Sequence, residues 1–300
     1  MEFVIGELPL RGGGGEPVDL RRTLASHGLG RLLPNRLDTD TWTLEVTLSA
    51  GEGPARTVRM SSGGPDKIKI TSADAVLSSE QAQRLTARCR HLLRLDDDLS
   101  RFYEMAGRDP HLAWATAGAG RMLRSSTVFE DVVKTVCTTN CAWSATVRMV
   151  TAIVDNLGER GLGPTRAFPG PTAMAEAGED FYRDSARAGY RGAYLRGLAR
   201  EVAEGRLDLE ALNDPELPDS EAHARLLALP GIGPYAAAHI MLTSLGRYRP
   251  LTLDSWTRPA YARLTGRRAS DLTIERRFRR YRRYSGLAFW LFVTRDWVGE

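Results

Sequence analysis

Two glycines and two prolines stand close together in Pro230-Gly231-Ile232-Gly233-Pro234. Glycine adopts left-handed dihedrals readily and lets another backbone approach, and proline suits the first position of a helix, where no amide hydrogen is needed. The pattern predicts a tight turn between two short helices. The first amides of the second helix would point outward from its positive dipole end, where a phosphate can bind. A plain turn between two helices is the alternative, because glycine and proline also punctuate ordinary helix pairs.

An aspartate, Asp254, follows Gly233 by 21 residues. We expect it at the start of a helix that carries Trp256 and Tyr261. An aspartate in that position can be a simple helix cap. A carboxylate near bound phosphates weakens binding unless it has a chemical role, so its combination with the hairpin favours chemistry.

The elements that position these residues fall into two groups. In the first, Trp42, Leu44, Val46 and Leu48 alternate with polar residues, which is typical of a half-buried strand. Segments 57–60 and 67–70 are expected to pair beside it across a Gly63-Gly64-Pro65 turn. The strand-like region runs from 36 to 71 and predicts a small antiparallel sheet.

Helical patterns follow Leu77. One helix is expected to start at residues 78–80 and run toward Met105, and another is expected to be capped by Ser125 or Ser126. A third carries apolar residues at helical spacing, with its Trp143 expected in the core, and ends at Gly158. The predicted class is therefore α+β. We expect an N-terminal antiparallel β domain over residues 1–78 and a helical region over 79–300, in which two subdomains flank a cleft and the hairpin occupies about 222–245.

Composition excludes several classes of protein. The chain has 300 residues, of which 42% are hydrophobic and 26% charged, as in a soluble globular protein. It contains no apolar run near the roughly 20 residues that span a bilayer. Its first ten residues contain two glutamates and no basic residue, so they do not resemble a secretory signal and we expect a cytoplasmic protein. Cys89, Cys137 and Cys141 cannot supply four thiolates to an iron–sulfur cluster, and no residues have zinc-ligand spacing.

Positive charge is concentrated near the C-terminus. The net charge is +4, and residues 249–300 contain twelve arginines against five acids, most densely over 276–283. Such a stripe attracts polyanions, nucleic acid above all, although a solvated helix face is the alternative. The chain has only three lysines, Lys67, Lys69 and Lys134.

The hairpin followed by Asp254 resembles the helix-hairpin-helix DNA glycosylase superfamily. Segments that start at Phe129, Phe168 (Phe-Pro-Gly-Pro-Thr-Ala-Met-Ala) and Gly189 (Gly-Tyr-Arg-Gly-Ala-Tyr-Leu) resemble further segments of that superfamily and stand in its order. The segment 281–290 is similar to a helix of bacterial 3-methyladenine DNA glycosylase II. The N-terminal sheet fits both that enzyme and 8-oxoguanine glycosylase, and the similarity covers most of residues 36–297.

The resemblance implies base-excision repair on double-stranded DNA. Asp254 is then the catalytic residue, which stabilises the oxocarbenium-like sugar and orients or deprotonates the attacking water. Members that also cleave the strand carry a Schiff-base lysine just after the hairpin, and here that position is Tyr235. We therefore expect a monofunctional enzyme, monomeric and associated with the nucleoid when bound to DNA.

The resemblance also implies roles for further residues. Tyr235, His239 and Trp290 would line the pocket for the extruded base, unless Tyr235 only packs the hairpin and His239 is a buried structural histidine. The residues expected to contact DNA are Gly231, Gly233, Asn140, Tyr190 and Arg258. The backbone carbonyls expected to hold a structural monovalent cation are those of Leu227, Leu229 and Ile232; no other cofactor is expected.

Three alternatives remain open. The first is a DNA-binding protein on this scaffold without catalysis. The second is an oxidised-base enzyme of the bifunctional type, which Tyr235 disfavours. The third is a mismatch enzyme of the iron–sulfur branch, which the lack of C-terminal cysteines disfavours. An alkylated purine is the leading substrate because aromatic rings attract cationic bases, but the surroundings of Asn140 are more similar to the 8-oxoguanine branch.

Overall fold

The computed structural model describes residues 2–49, 53–72, 77–161 and 163–298. In these ranges a five-stranded antiparallel sheet precedes a mostly helical body, which confirms the α+β class. The strands are β1 (Phe3–Pro9), β2 (Asn35–Asp38), β3 (Thr43–Leu48), β4 (Arg56–Gly64) and β5 (Lys67–Ser72). The helices are α1 (Leu20–Leu24), α2 (Ser79–Leu92), α3 (Ser100–Ala106), α4 (Val128–Thr138), α5 (Trp143–Leu157), α6 (Pro171–Glu176), α7 (Arg191–Ala203), α8 (Asp219–Leu227), α9 (Pro234–Thr243), α10 (Thr257–Thr265), α11 (Asp271–Phe278) and α12 (Ser285–Thr294).

The strands lie in the order β1-β5-β4-β3-β2. Leu44, Val46 and Leu48 of β3 are buried, as their alternation predicts. The hairpin of β4 and β5 also forms as expected. The edge strand β1 was not predicted, because most of its side chains are at least partly exposed and give no clear apolar alternation. β2 lies at the start of the strand-like region 36–71, although it was not identified as a separate strand.

The helix expected from residue 78 to Met105 is in fact two helices, α2 and α3. The chain turns at Arg94, which has a φ of 53° and a buried side chain. Its guanidinium donates to the carbonyls of Thr243 at 2.7 Å and Ser244 at 2.5 Å, and these contacts secure the turn. The cap of α4 is Thr127 rather than Ser125 or Ser126, because the Thr127 side chain accepts from the amide of Glu130.

Three apolar clusters form the core. The first joins the sheet to α2 through side chains such as Leu85 and Cys89. The second contains buried residues of α4, α5, α7, α8 and α9, and the third contains those of α3, α10, α11 and α12. Segments that belong to the second and third clusters meet around the site described below.

No helix within the described ranges is long and apolar enough to cross a membrane. The same ranges contain no group of three or more His, Cys, Asp or Glu side chains arranged to hold a metal ion.

Candidate functional site

The predicted hairpin connects α8 to α9, with Pro234 as the first residue of α9. Gly231 has a φ of +84°, and a Cβ there would lie 2.8 Å from a ring carbon of Tyr194. Gly233 has an extended backbone and caps α9, and a Cβ there would meet no atom within 4 Å. Gly231 therefore makes the turn, while Gly233 leaves the start of α9 open to an approaching group.

A cavity of about 1010 Å³ lies against this hairpin. Its walls combine the start of α9, the turn between α4 and α5, the residues before α10, and two tryptophans near the C-terminus. The candidate residues that line it are Asn140, Tyr190, Gly231, Gly233, Tyr235, His239, Asp254 and Trp290. The fold thus brings the expected carboxylate, aromatic rings and hairpin glycines to one place.

The Asp254 side chain caps the turn that leads into α10 and also lines the cavity. Its Oδ1 accepts from the amides of Trp256 at 2.9 Å and Thr257 at 2.6 Å. The Asp254 amide donates in return to Thr257 Oγ1 at 2.8 Å. Within the described residues Oδ2 accepts no hydrogen bond. One oxygen therefore fixes the carboxylate and the other is left for a ligand.

Aromatic rings form the wall beside Asp254. Tyr235 stacks on His239 with ring centroids 5.8 Å apart and planes at 21°. His239 meets Trp290 edge to face at 5.9 Å. Trp290 is held by the hydrogen bond from its Nε1 to the Ser26 carbonyl, at 2.8 Å. These contacts place Tyr235, His239 and Trp290 together, as expected from the sequence.

Burial controls the protonation of this wall. Desolvation, assisted by the nearby Asp254 charge, raises the pKa of the Tyr235 phenol, which stays neutral. Burial, with a smaller contribution from His27, lowers the pKa of His239 to about 3. The wall therefore presents neutral groups beside one carboxylate.

Asn140 and Tyr190 lie together at the rim. Asn140 has a φ of 47°, which asparagine tolerates in a turn, and its Nδ2 donates to the Tyr190 hydroxyl at 3.3 Å. Tyr190 is 53% exposed, and its ring packs edge to face against that of Tyr194. The Arg191 guanidinium lies 4.6 Å from the centroid of the Tyr190 ring. It also donates to the Thr139 carbonyl, and this hydrogen bond joins α7 to the turn between α4 and α5.

The expectation that Trp143 lies in the core is wrong. Trp143 is 48% exposed and lines the cavity. Val147, one turn later, is 41% exposed, whereas Val150 and Val154 are buried. The first turn of α5 thus lies beyond the packed part of the helix, which a helical apolar spacing does not reveal.

Sequence reasoning missed three further residues around the site. Trp256 and Trp297 line the cavity, and their rings pack at 5.3 Å from each other. His27 is buried behind His239, with the two ring centroids 5.9 Å apart. The sequence predicted Trp256 on the helix that follows Asp254, but no pattern in the sequence indicated that it lines a cavity.

Two basic groups lie outside the cavity lining. Arg258 pairs with Asp271 through two hydrogen bonds, at 2.8 and 2.9 Å. None of the arginines of 276–283 lines the cavity, and three of them have structural partners: Arg277 packs over Phe292 at 4.5 Å, Arg280 pairs with Asp109, and Arg283 packs over Tyr284 at 4.7 Å.

None of the three lysines, which all lie in the described ranges, lines the cavity. Lys67 and Lys69 belong to β5. Lys134 is fully buried, and its ammonium lies 2.7 Å from the carboxylate of Glu130. No lysine amine is therefore available beside Asp254 in this structure.

Leu227 is the last residue of α8, and Leu229 and Ile232 lie in the hairpin turn that follows it. The Leu229 carbonyl accepts from the Ile232 amide at 3.1 Å, and a carbonyl oxygen has a second lone pair. Oxygen donors of this kind suit a hard cation. The residues present therefore fit a monovalent cation.

Known proteins share part of this sequence and the whole of this fold. No protein-family model matches the chain. A curated relative in Mycobacterium tuberculosis, described as a probable bifunctional transcriptional activator/DNA repair enzyme AlkA, is 32% identical over 167 residues, which are 54% of this chain. The chain spans about a third of that relative's length, since the match covers 32% of it.

The solved structures that share this fold include two DNA glycosylases. The 3-methyladenine DNA glycosylase of Archaeoglobus fulgidus has a TM-score of 0.75 at 20% identity, covering 98% of this chain and 100% of that one. The 8-oxoguanine glycosylase/lyase of Clostridium acetobutylicum, bound to double-stranded DNA with cytosine opposite 8-oxoguanine, has a TM-score of 0.70 at 22% identity, covering 93% and 92%. The chain has the fold of these DNA glycosylases, which confirms the expected resemblance at the level of the fold.

Proposed function

We propose that this chain is a monofunctional DNA glycosylase that extrudes a damaged base, foremost an alkylated purine, and hydrolyses its N-glycosidic bond. The observation that carries the proposal is the position of Asp254. Its carboxylate shares one cavity with the hairpin glycines and Tyr235, and its Oδ2 accepts no hydrogen bond from the described residues.

The hairpin holds the DNA backbone in this proposal. The open space at Gly233 lets a phosphate reach the first amides of α9, at the positive end of the helix dipole. Such a contact positions the duplex without reading its sequence. A monovalent cation on the carbonyls of Leu227, Leu229 and Ile232 would add positive charge at the same turn.

Extrusion leaves a gap in the duplex that the rim residues fill. Asn140 and Tyr190 are joined by a hydrogen bond and stand at the mouth of the cavity. An amide that donates and accepts can pair with the base left behind, and an exposed ring can stack in the gap. Unstacking a damaged base costs a few kcal/mol, which these contacts offset.

The aromatic wall holds the extruded base. Tyr235 offers a ring face beside the Asp254 carboxylate, and Trp290 closes the wall beyond His239. A positively charged alkylated purine gains cation–π attraction from such rings and Coulomb attraction from the carboxylate. The proposal of an alkylated base rests on this combination.

Asp254 then serves the bond-breaking step. The bond between C1′ and the base nitrogen breaks, its electron pair leaves with the base, and positive charge develops on the sugar. The carboxylate stabilises that charge and orients a water whose oxygen bonds to C1′. The water gives one proton to the Asp254 carboxylate, which passes it to solvent, and a cationic alkylated purine leaves as the neutral free base, so that an intact abasic site remains. Strand cleavage does not follow, because the position of a Schiff-base lysine is occupied by Tyr235.

Excision assays test the proposal directly. Duplexes would carry 3-methyladenine, 7-methylguanine, 8-oxoguanine, hypoxanthine or uracil, with Asp254→Asn as the inactive control. We expect release of an alkylated purine by the wild type and its loss in the control. DNA binding without release of any base would instead identify a non-catalytic binding protein.

An oxidised purine is the second candidate substrate. Asn140 and the fold shared with the Clostridium acetobutylicum 8-oxoguanine enzyme favour it. Preferential release of 8-oxoguanine in the same assay would support this candidate over an alkylated purine. We also propose that the enzyme acts as a monomer on double-stranded DNA, which light scattering of the DNA complex would check.

A further inference from the structure

The arginines near the C-terminus fall into two sets with different surroundings. Helix α11 leads directly into a 3₁₀ helix over Arg279–Tyr284. Residues three apart in a 3₁₀ helix lie on the same side of it. Here every third residue, Phe278, Tyr281 and Tyr284, is buried in the third apolar cluster. This anchoring leaves the six arginines of 276–283 in two sets of three, each with the same spacing of three residues.

One set fastens the segment to the rest of the protein. It consists of Arg277, Arg280 and Arg283, whose partners are Phe292, Asp109 and Tyr284. Asp109 is buried and also accepts a hydrogen bond from the Tyr281 hydroxyl. The charges and rings of this first set are therefore used within the protein.

The other set, which we name the arginine row, consists of Arg276, Arg279 and Arg282. All three residues are exposed, and a kink at Arg282, with a φ of 53°, ends the row. Among the described residues, no side chain of the row makes an ion pair, a hydrogen bond or a ring contact. Like charges three or four residues apart repel each other. A row of such charges without counter-charges therefore suits an anion from outside the protein.

The arginine row is separate from the cavity. No residue of 270–284 belongs to the cavity lining. The segment instead rests on Phe102 of α3, whose ring centroid lies 6.3 Å from that of Tyr281 and 5.6 Å from that of Tyr284. Helix α3 contributes no residue to the cavity either. An anion held by the row would therefore not be the group that occupies the cavity.

The chemistry of the row favours a nucleic acid backbone as its partner. A guanidinium group pairs with a phosphate through two parallel hydrogen bonds. Every apolar or aromatic side chain of 276–284 is buried, so the row lacks the apolar centre that protein interfaces have. Positive charges at regular spacing match a polymer of phosphates and hold it without reading its sequence.

We propose that the arginine row is a second DNA-binding surface, which holds the backbone of a separate duplex segment while a first segment occupies the cavity. The proposal rests on the DNA binding of the proposed function but not on excision. A protein that holds two segments at once can pass from one to the other without first dissociating. The row would thus serve the search for damage, whereas the cavity serves the chemistry.

The first experiment counts bound duplexes. Sedimentation of the protein with excess short fluorescent duplexes at low salt gives the number of duplexes for each protein molecule. We expect two for the wild type and one for the triple variant Arg276→Gln, Arg279→Gln and Arg282→Gln. The three side chains have no partners, so the variant should unfold in urea at the wild-type midpoint. Three lysines in their place keep the charge and should retain the second duplex.

A charge-matched control replaces three other exposed arginines by glutamine. These are Arg11, Arg84 and Arg200, which lie outside the cavity lining. This control should still bind two duplexes. The same number of duplexes on the wild type and on the row variant would show that the row is a solvated face. Loss of a duplex from the control as well would show an effect of net charge alone, and either result would overturn the proposal.

The second experiment uses the wild-type protein and measures transfer. The protein is loaded with a fluorescent duplex that carries an abasic-site analogue, and its release is followed at increasing concentrations of unlabelled duplex. We expect the release rate to rise severalfold with competitor for the wild type and to stay constant for the row variant. A constant rate for the wild type would overturn the proposal, and weaker binding of long duplexes alone by the row variant would then assign the row to the flank of the first duplex. Equal acceleration by polyglutamate would indicate an acidic protein as the partner and would also overturn it.

Failure of the proposed function would be recognised separately. A wild type that binds two duplexes and excises no base would leave the arginine row supported and the glycosylase proposal refuted. A wild type that binds one duplex, when the row variant binds none, would place DNA on the row and remove it from the cavity.

Discussion

Asp254 and Thr257 are joined by two reciprocal hydrogen bonds. The Asp254 amide donates to Thr257 Oγ1 at 2.8 Å, and the Thr257 amide donates to Asp254 Oδ1 at 2.6 Å. The hydroxyl of Thr257 in turn donates to the Thr252 carbonyl at 2.8 Å. The candidate catalytic carboxylate thus also caps the turn that leads into α10, so a role in stability has to be separated from a role in chemistry.

Two substitutions of Asp254 separate these roles. Asp254→Asn keeps an acceptor at the cap and should change the free energy of unfolding by only a few tenths of a kcal/mol, whereas Asp254→Ala should cost about 1 kcal/mol. Both variants should lose excision by about a hundredfold or more, because only the carboxylate stabilises the sugar cation. Urea unfolding and single-turnover excision measure the two effects. Excision by Asp254→Asn at the wild-type rate would remove Asp254 from the mechanism.

Tyr235 offers a gain-of-function prediction. Its side chain lies beside the Asp254 charge, and Tyr235→Lys would put an amine at the position of a Schiff-base nucleophile. Borohydride treatment with abasic DNA should trap a covalent complex of Tyr235→Lys and none of the wild type. Tyr235→Phe is the matched control and should also give no complex. A trapped complex with the wild type would show a strand-cleaving activity and contradict the monofunctional proposal.

The two hairpin glycines should respond differently to alanine. In Gly231→Ala the alanine would have to adopt a positive φ, and its Cβ would lie too close to the Tyr194 ring. The substitution should therefore lower the free energy of unfolding by about 1–2 kcal/mol. Gly233→Ala has room and an extended backbone, so its stability should stay within about 0.5 kcal/mol of the wild type. Gly233→Ala should nevertheless weaken DNA binding, since its methyl group occupies the space proposed for a phosphate. Equal DNA affinity of Gly233→Ala and the wild type would argue against that contact.

The buried histidines predict a loss of stability in mild acid. Burial lowers the pKa of His27 from 6.5 to about 4 and that of His239 to about 3. The unfolded chain therefore takes up protons below about pH 6.5, while the folded chain does not. The two histidines thus leave the free energy of unfolding at its full value above that pH and lower it as the pH falls. Between about pH 6.5 and pH 5, each of the two histidines should lower the free energy of unfolding by up to roughly 2 kcal/mol. The pKa of His91 is also lowered, so His91 acts in the same direction.

Urea unfolding near neutral pH and again near pH 5 measures this loss. His27→Phe keeps a ring in place but removes one titrating group, so its stability should depend less on pH than that of the wild type. The same pH dependence in the variant and the wild type would show that His27 is not a buried neutral histidine.

Local patterns predicted the parts of the fold that depend on neighbouring residues. The alternation around Val46 predicted a strand because one side of β3 is buried, and Gly231 predicted a turn because that turn requires a positive φ. The spacing between Gly233 and Asp254 led to the family whose fold the chain has. Each of these signals is contained in a short stretch of sequence.

Contacts between distant segments could not be predicted in this way. Trp290 is fixed by Ser26, which lies 264 residues earlier, and His27 by Leu123, which lies 96 residues later. Trp143 has the spacing of a core residue, but only the packing of α5 decides which of its turns is covered. The composition of the cavity wall therefore depended on the three-dimensional arrangement.

The buried ion pair of Lys134 with Glu130 has a practical consequence for chemical labelling of the protein. Because Lys134 is inaccessible, the side-chain amines that reagents can reach are those of Lys67 and Lys69, both on β5 and away from the cavity. Fluorophores or sensor-chip linkers coupled to these amines would attach the molecule by its sheet, through residues that do not line the cavity.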